Sequence, residues 1–158
     1  MVTSDLNPEK IFELGRDHLN IENLSEVTGL PAYPIWAAVV CTQDRLITNL
    51  IVRAGNKKHR NVVFVVDTRC KRVMLSSETL RVFFPSPPED ELDSVFQLHL
   101  YSDLTTPCSQ PTGPARGLNM LGMDYLKKFN LSVVFGCNHA EFQLLKVPYP
   151  KLAKNNTK

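Results

Sequence analysis

The stretch Asn61-Val-Val-Phe-Val-Val-Asp-Thr-Arg-Cys70 sets five apolar residues, Val62 to Val66, directly ahead of an aspartate. A run of β-branched and aromatic side chains this dense reads as a strand buried on both faces. A carboxylate at the end of such a strand must find hydrogen bonds or open onto solvent. Asp at a strand end often does no more than start a turn. Taken alone, Val-Val-Asp-Thr favours that reading.

The neighbouring segments share the texture of the run. Pro34–Val40 and Leu46–Val52 are two further strand-like runs. Between the second and Val62 lies Arg53-Ala-Gly-Asn-Lys-Lys-His-Arg60, a Gly-Asn turn with basic flanks. It has no aromatic stacking partners, so a solvated hairpin tip is the better reading than a nucleic-acid patch. Lys71–Leu75 leads into Ser76-Ser-Glu-Thr-Leu-Arg-Val-Phe-Phe84, a short helix capped by Ser76 or Ser77 and stopped by Pro85. Residues 85–93 form an acidic, proline-rich loop, and Val95–Tyr101 alternates like a strand. Residues 102–117 hold three prolines and two glycines without a period, which predicts a mobile connection or a lid.

The last third is more regular. Leu118–Leu121 is a short apolar run, Gly122-Met123-Asp124 follows, and Tyr125–Phe129 should begin a helix. Leu131–Phe135 and Ala140–Leu145 read as strands joined by a hairpin at Gly136–His139. At the other end, Asn7 can cap a helix, Pro8 suits its first position and Glu9 favours the positive end of its dipole. Ile11, Phe12, Leu14 and Leu19 give that helix an apolar face.

With 158 residues, 43% of them hydrophobic, the chain can bury one core without disulfides or metal. A net charge of +2 gives no bulk electrostatic reason for a nucleic-acid or membrane partner. Four cysteines (41, 70, 108, 137) and four histidines (18, 59, 99, 139) include no CxxC pair, which favours free thiols over a zinc site. No signal-peptide pattern and no membrane-length apolar run stand in the sequence, so an intracellular, cytoplasmic location is expected, with a segment of a longer polyprotein as an alternative origin.

The order of these parts is specific. A buried strand ends in Asp-Thr, a short strand and a capped helix follow, and later an apolar run ends in Leu-Gly-x-Asp and opens a second helix. In Val62–Thr68, Leu75–Leu80, Leu118–Leu126 and Leu131–Phe135 the chain resembles the retropepsin-like aspartic proteases of retroviruses, retrotransposons and genes derived from them. The resemblance covers about residues 33–147. It implies a mostly β fold: a retropepsin-like acid-protease barrel, a closed antiparallel sheet with one or two short helices. That domain would occupy 31–150, after a partly helical N-terminal arm at 1–30 and before a flexible tail at 151–158.

The resemblance also implies half an enzyme. Family members are homodimers in which each subunit gives one aspartate to a site on the twofold axis, without metal or cofactor. Asp67 matches that aspartate, and Thr68 the threonine that bonds across the dimer. Leu121 and Gly122 would pass beneath the Asp67 loop, with Gly122 allowing close backbone approach. Asp124 matches a structural position, and residues 95–117 would supply the flap over an extended peptide. Two carboxylates within hydrogen-bond reach share one proton, so one activates water while the other polarises the peptide carbonyl.

Arg69 breaks the pattern, because active members read Asp-Thr-Gly or Asp-Ser-Gly. An arginine is expected to strain the turn, to crowd the twofold mate and to pull the aspartate towards permanent ionisation. The favoured reading is therefore a pseudoprotease, kept as a dimerising module or one that binds an extended peptide by strand addition. The alternative is an active homodimeric endopeptidase working at acid pH with Arg69 turned outward. In a third arrangement the N-terminal helix covers the dimer surface and leaves a monomer.

Overall fold

The apolar run Val62–Val66 lies in β4 (His59–Val66), in which Asn61 to Val66 are all buried. The computed structural model describes residues 7–27, 35–40, 45–85, 96–100, 105–135 and 141–146. Successive side chains of a strand point to opposite faces, and β4 uses both. Val62, Phe64 and Val66 enter one core with Leu50, Leu75, Phe83, Leu121 and Tyr125. Val63 and Val65 enter another with Ile11, Leu14, Ile47, Leu118 and Met120. The absence of polar alternation in Val62–Val66 thus reflects two filled sides.

The second core exists because α1 (Pro8–Leu19) lies on that side of the sheet. Asn7 caps it by accepting from the Lys10 N–H at 2.7 Å, and Pro8 opens its first turn. Ile11, Leu14 and Gly15 are its buried positions. The helix expected within the first thirty residues is therefore built into the packing. At Gly15 an added Cβ would come within 2.9 Å of a Val63 methyl, so the helix backbone itself rests on β4.

Around β4 the described residues make one curled, ten-stranded sheet. On one flank β3 (Arg45–Arg53) pairs antiparallel with it, from Leu46↔Val66 to Val52↔Arg60. β2 (Ile35–Val40), β10 (Glu141–Lys146) and β9 (Leu131–Phe135) extend the sheet beyond β3, all antiparallel. On the other flank β8 (Met120–Leu121), β5 (Val73–Met74), β7 (Thr105–Ser109) and β6 (Phe96–Leu100) follow in turn, and β6 pairs back onto β3. The sheet is mostly antiparallel, as expected, with two parallel pairings among the described strands. β8 runs parallel to β4, and β7 parallel to β5. Each reaches its partner through a long connection that turns the chain back to its original direction.

Two further differences have local causes. The stretch 102–117, expected to be a loop or lid, holds β7 and a short 3-10 turn at Gly113–Ala115. Thr106 and Cys108 of β7 are buried while Pro107 faces out, so a proline on the exposed side disguised a strand. Residues 23–27, which have no readable period, run beside β4 and include β1 (Glu26–Val27). Side chains and backbone hold them there: Asn23 Oδ1 accepts from the Val63 N–H at 2.9 Å, and the Asn61 N–H donates to the Ser25 carbonyl at 2.9 Å.

The short helix after β5 is α2 (Ser77–Phe83), capped by Ser76, whose hydroxyl oxygen accepts from the Thr79 N–H at 3.2 Å. The acidic segment 86–93, the turn at 136–139 and the tail at 151–158 lie outside the described residues. No helix among the described residues is long and apolar enough to cross a membrane.

Candidate active site

Asp67 leaves the end of β4 just where the sheet stops covering it. Its side chain is 17% exposed, whereas Thr68 and Arg69 turn outward. The chain then folds back, with the Cys70 N–H donating to the Asp67 carbonyl at 3.0 Å. A central strand buried on both faces thus delivers one carboxylate to the surface at its end, on a tight turn.

Arg69 closes onto that carboxylate. Its Nε lies 3.2 Å from Asp67 Oδ1 and its Nη2 3.3 Å from Oδ2, a two-point contact matching the fork of a guanidinium to a carboxylate. The Arg69 backbone N–H adds a third bond to Oδ1 at 3.0 Å. Burial pushes the Asp67 carboxyl up, but the Arg69 guanidinium and N–H outweigh it and hold the group below the ordinary carboxylate value. The carboxylate in turn raises Arg69. Within one chain, among the described residues, no second carboxylate acts on Asp67, so the group has no partner with which to share a proton.

The expectation of a strained turn at position 69 does not hold. Positive φ angles among the described non-glycine residues occur at Asn20, Leu24 and Asn130, not at Arg69. The backbone here is outside the left-handed region, and within one chain the Arg69 side chain is 60% exposed.

Leu121, Gly122 and Asp124 meet the Asp67 loop from below. β8 lies parallel to β4, and the Asp67 N–H donates to the Leu121 carbonyl at 3.1 Å. One residue on, the Met123 N–H reaches the Cys70 carbonyl at 2.9 Å, and the Asp124 N–H the Lys71 carbonyl at 2.8 Å. Gly122 sits inside this clasp. A Cβ there would stand 2.3 Å from the Arg72 carbonyl oxygen and 2.8 Å from that of Cys70, closer than any side chain allows. Asp124 contributes its backbone to the clasp while its side chain is exposed at the start of α3 (Met123–Lys128).

Sequence reasoning passed over Asn119. It is 1% exposed, its Oδ1 accepts from the Ser76 N–H at 2.9 Å, and its Nδ2 donates to the Val63 carbonyl at 3.2 Å. Its own carbonyl accepts from the Val65 N–H at 2.9 Å. One amide therefore ties β4 to the capping residue of α2, two elements that flank the loop. The signal was present: an amide inside Leu-Asn-Met-Leu must be hydrogen-bonded if that run is buried.

Cys70, at the end of the loop, is half-buried, and its Sγ is 3.9 Å from Met74 Sδ. Burial and the Asp67 charge push its thiol up, which makes it a poor nucleophile.

No family model and no curated protein matches the chain. Among solved structures it is similar to a retropepsin-like aspartic protease from Rickettsia conorii, at 14% identity across 76% of this chain and 96% of that one, with a TM-score of 0.49.

Proposed function

We propose that the chain is a retropepsin-fold protein in which Arg69 has converted the catalytic aspartate into a fixed ion pair, leaving a dimerising or peptide-binding module. The observation that carries this reading is the three-bond grip of Arg69 on Asp67. Hydrolysis by an aspartate pair needs one carboxyl group protonated and one ionised in the same site. A guanidinium bonded to both oxygens favours the ionised form, so two copies facing each other would offer two paired anions and no acid. Strand and loop remain in place, as the clasp at Leu121–Asp124 requires, so a cleft between two copies would still present backbone edges to an extended peptide. Thr68, exposed beside Asp67, is the residue proposed to bond across that dimer. The free thiols of Cys70 and Cys108 fit a reducing, intracellular compartment.

One observation favours the alternative of an acid endopeptidase. The turn at Arg69 is unstrained and its side chain mostly exposed, so swinging the guanidinium away would leave the Asp67 loop intact. The two readings separate in one experiment. Purified protein incubated with an unfolded polypeptide from acid to neutral pH should leave it intact, and Arg69→Gly should gain weak cleavage. Cleavage by the unmodified protein that disappears in Asp67→Asn would establish the endopeptidase instead.

A further inference from the structure

Behind the Asp67 loop, on the side of β5, β7 and α3, the fold leaves a cavity of about 290 Å³ whose lining includes Arg72, Val73, Thr106, Pro107, Ser109, Asp124 and Lys128. Val73 and Pro107 make apolar walls. Arg72, Lys128 and Asp124 are exposed and leave a surplus of one positive charge. Thr106 is 3% exposed, and its hydroxyl has no partner among the described residues.

The charges are arranged without satisfying one another. Asp124 and Lys128 are four apart on α3 and share a face, yet Lys128 Nζ donates to the Thr105 carbonyl at 2.5 Å and lies 5.7 Å from the Phe129 ring centroid. Arg72 forms no ion pair among the described residues, in contrast with Arg69 three positions earlier. An uncommitted guanidinium beside apolar walls is suited to a carboxylate that carries a hydrophobic body. Asp124 on the same lining disfavours a second negative charge, which selects against phosphate-like dianions. The volume lies at the small end of ligand pockets and admits a single ring or branched chain.

We infer that this cavity binds a small amphipathic monocarboxylate, its acid group on Arg72 and Lys128 and its apolar body against Val73 and Pro107. The site is independent of any chemistry at Asp67, but it is joined to that loop. The Arg72 carbonyl is the atom against which Gly122 packs, and the Asp124 N–H holds the Lys71 carbonyl at 2.8 Å.

Phenylacetate titrated into nitrogen-labelled protein tests this directly, with phenylacetamide and phenyl phosphate as the neutral and dianionic comparisons. Saturable amide shifts are expected at Val73, Thr106 and Asp124. Binding should be about tenfold weaker for phenylacetamide and for Arg72→Gln, as befits loss of a charge-assisted pair. Lys128→Gln, an exposed change, should weaken binding several-fold in an otherwise unchanged spectrum. Shifts centred on Val134 and Phe135, equal binding of the amide, tighter binding of phenyl phosphate, or no shifts at all would each overturn the proposal.

Discussion

The Arg69 guanidinium reaches back to both oxygens of Asp67, and the pair lies at the surface with Arg69 60% exposed. A carboxyl group whose pKa falls on folding adds stability that is fully present above the ordinary carboxylate range. That stability is lost as the pH drops through the depressed value of the folded state. Arg69→Met should therefore lower Tm slightly at neutral pH, and thermal scans should show the difference from the parent closing in acid. A gap that widens in acid would contradict the pairing. Asn119 gives a larger effect at the same scale, because its removal strands the buried Ser76 N–H and Val63 carbonyl. Asn119→Leu should cost about 2–4 kcal/mol in urea unfolding, most of it from those two groups. Asp67 and the odd Arg69 could both be read from Val-Val-Asp-Thr-Arg. Asn119 could not, because a single amide shows its partners only when strands distant in sequence are brought together.

Elements were legible in proportion to how much of their character is local. α1 was readable from Asn7 and Pro8, and α2 from Ser76, because caps act within one turn. β7 was hidden by Pro107, and the two-residue β1 is set by bonds to β4 that no local pattern encodes. The apolar face of α1 was visible, but its burial against Val63 and Val65 depends on the fold. Ile11→Ala should therefore destabilise the protein by about 2–4 kcal/mol, the range for a buried aliphatic truncation, measured by denaturant midpoint. A helix that merely hung from the domain would show almost no change. The junction of β8 and α3 has its own test. Gly122→Ala forces a Cβ to within 2.3 Å of the Arg72 carbonyl, so the clasp on the Asp67 loop must open. A loss of about 1–3 kcal/mol is expected, with faster amide exchange at Asp67, Met123 and Asp124.

At the scale of the whole molecule, the alternating use of β4 explains why one short run carried so much of the reading. Its odd and even residues fill two separate cores, so the strand must be central, and its end must lie where two layers meet. The parallel pairings of β8 with β4 and β7 with β5 were not legible, since direction depends on how long connections return. What the arrangement does turns on one proton. Carbon-detected NMR titration of the Asp67 carboxyl in the full chain measures it directly. A single transition below the ordinary carboxylate range is expected, shifted upward in Arg69→Met. A carboxyl that instead holds its proton well above that range, as one member of a proton-sharing pair, would contradict the account and restore the case for a protease.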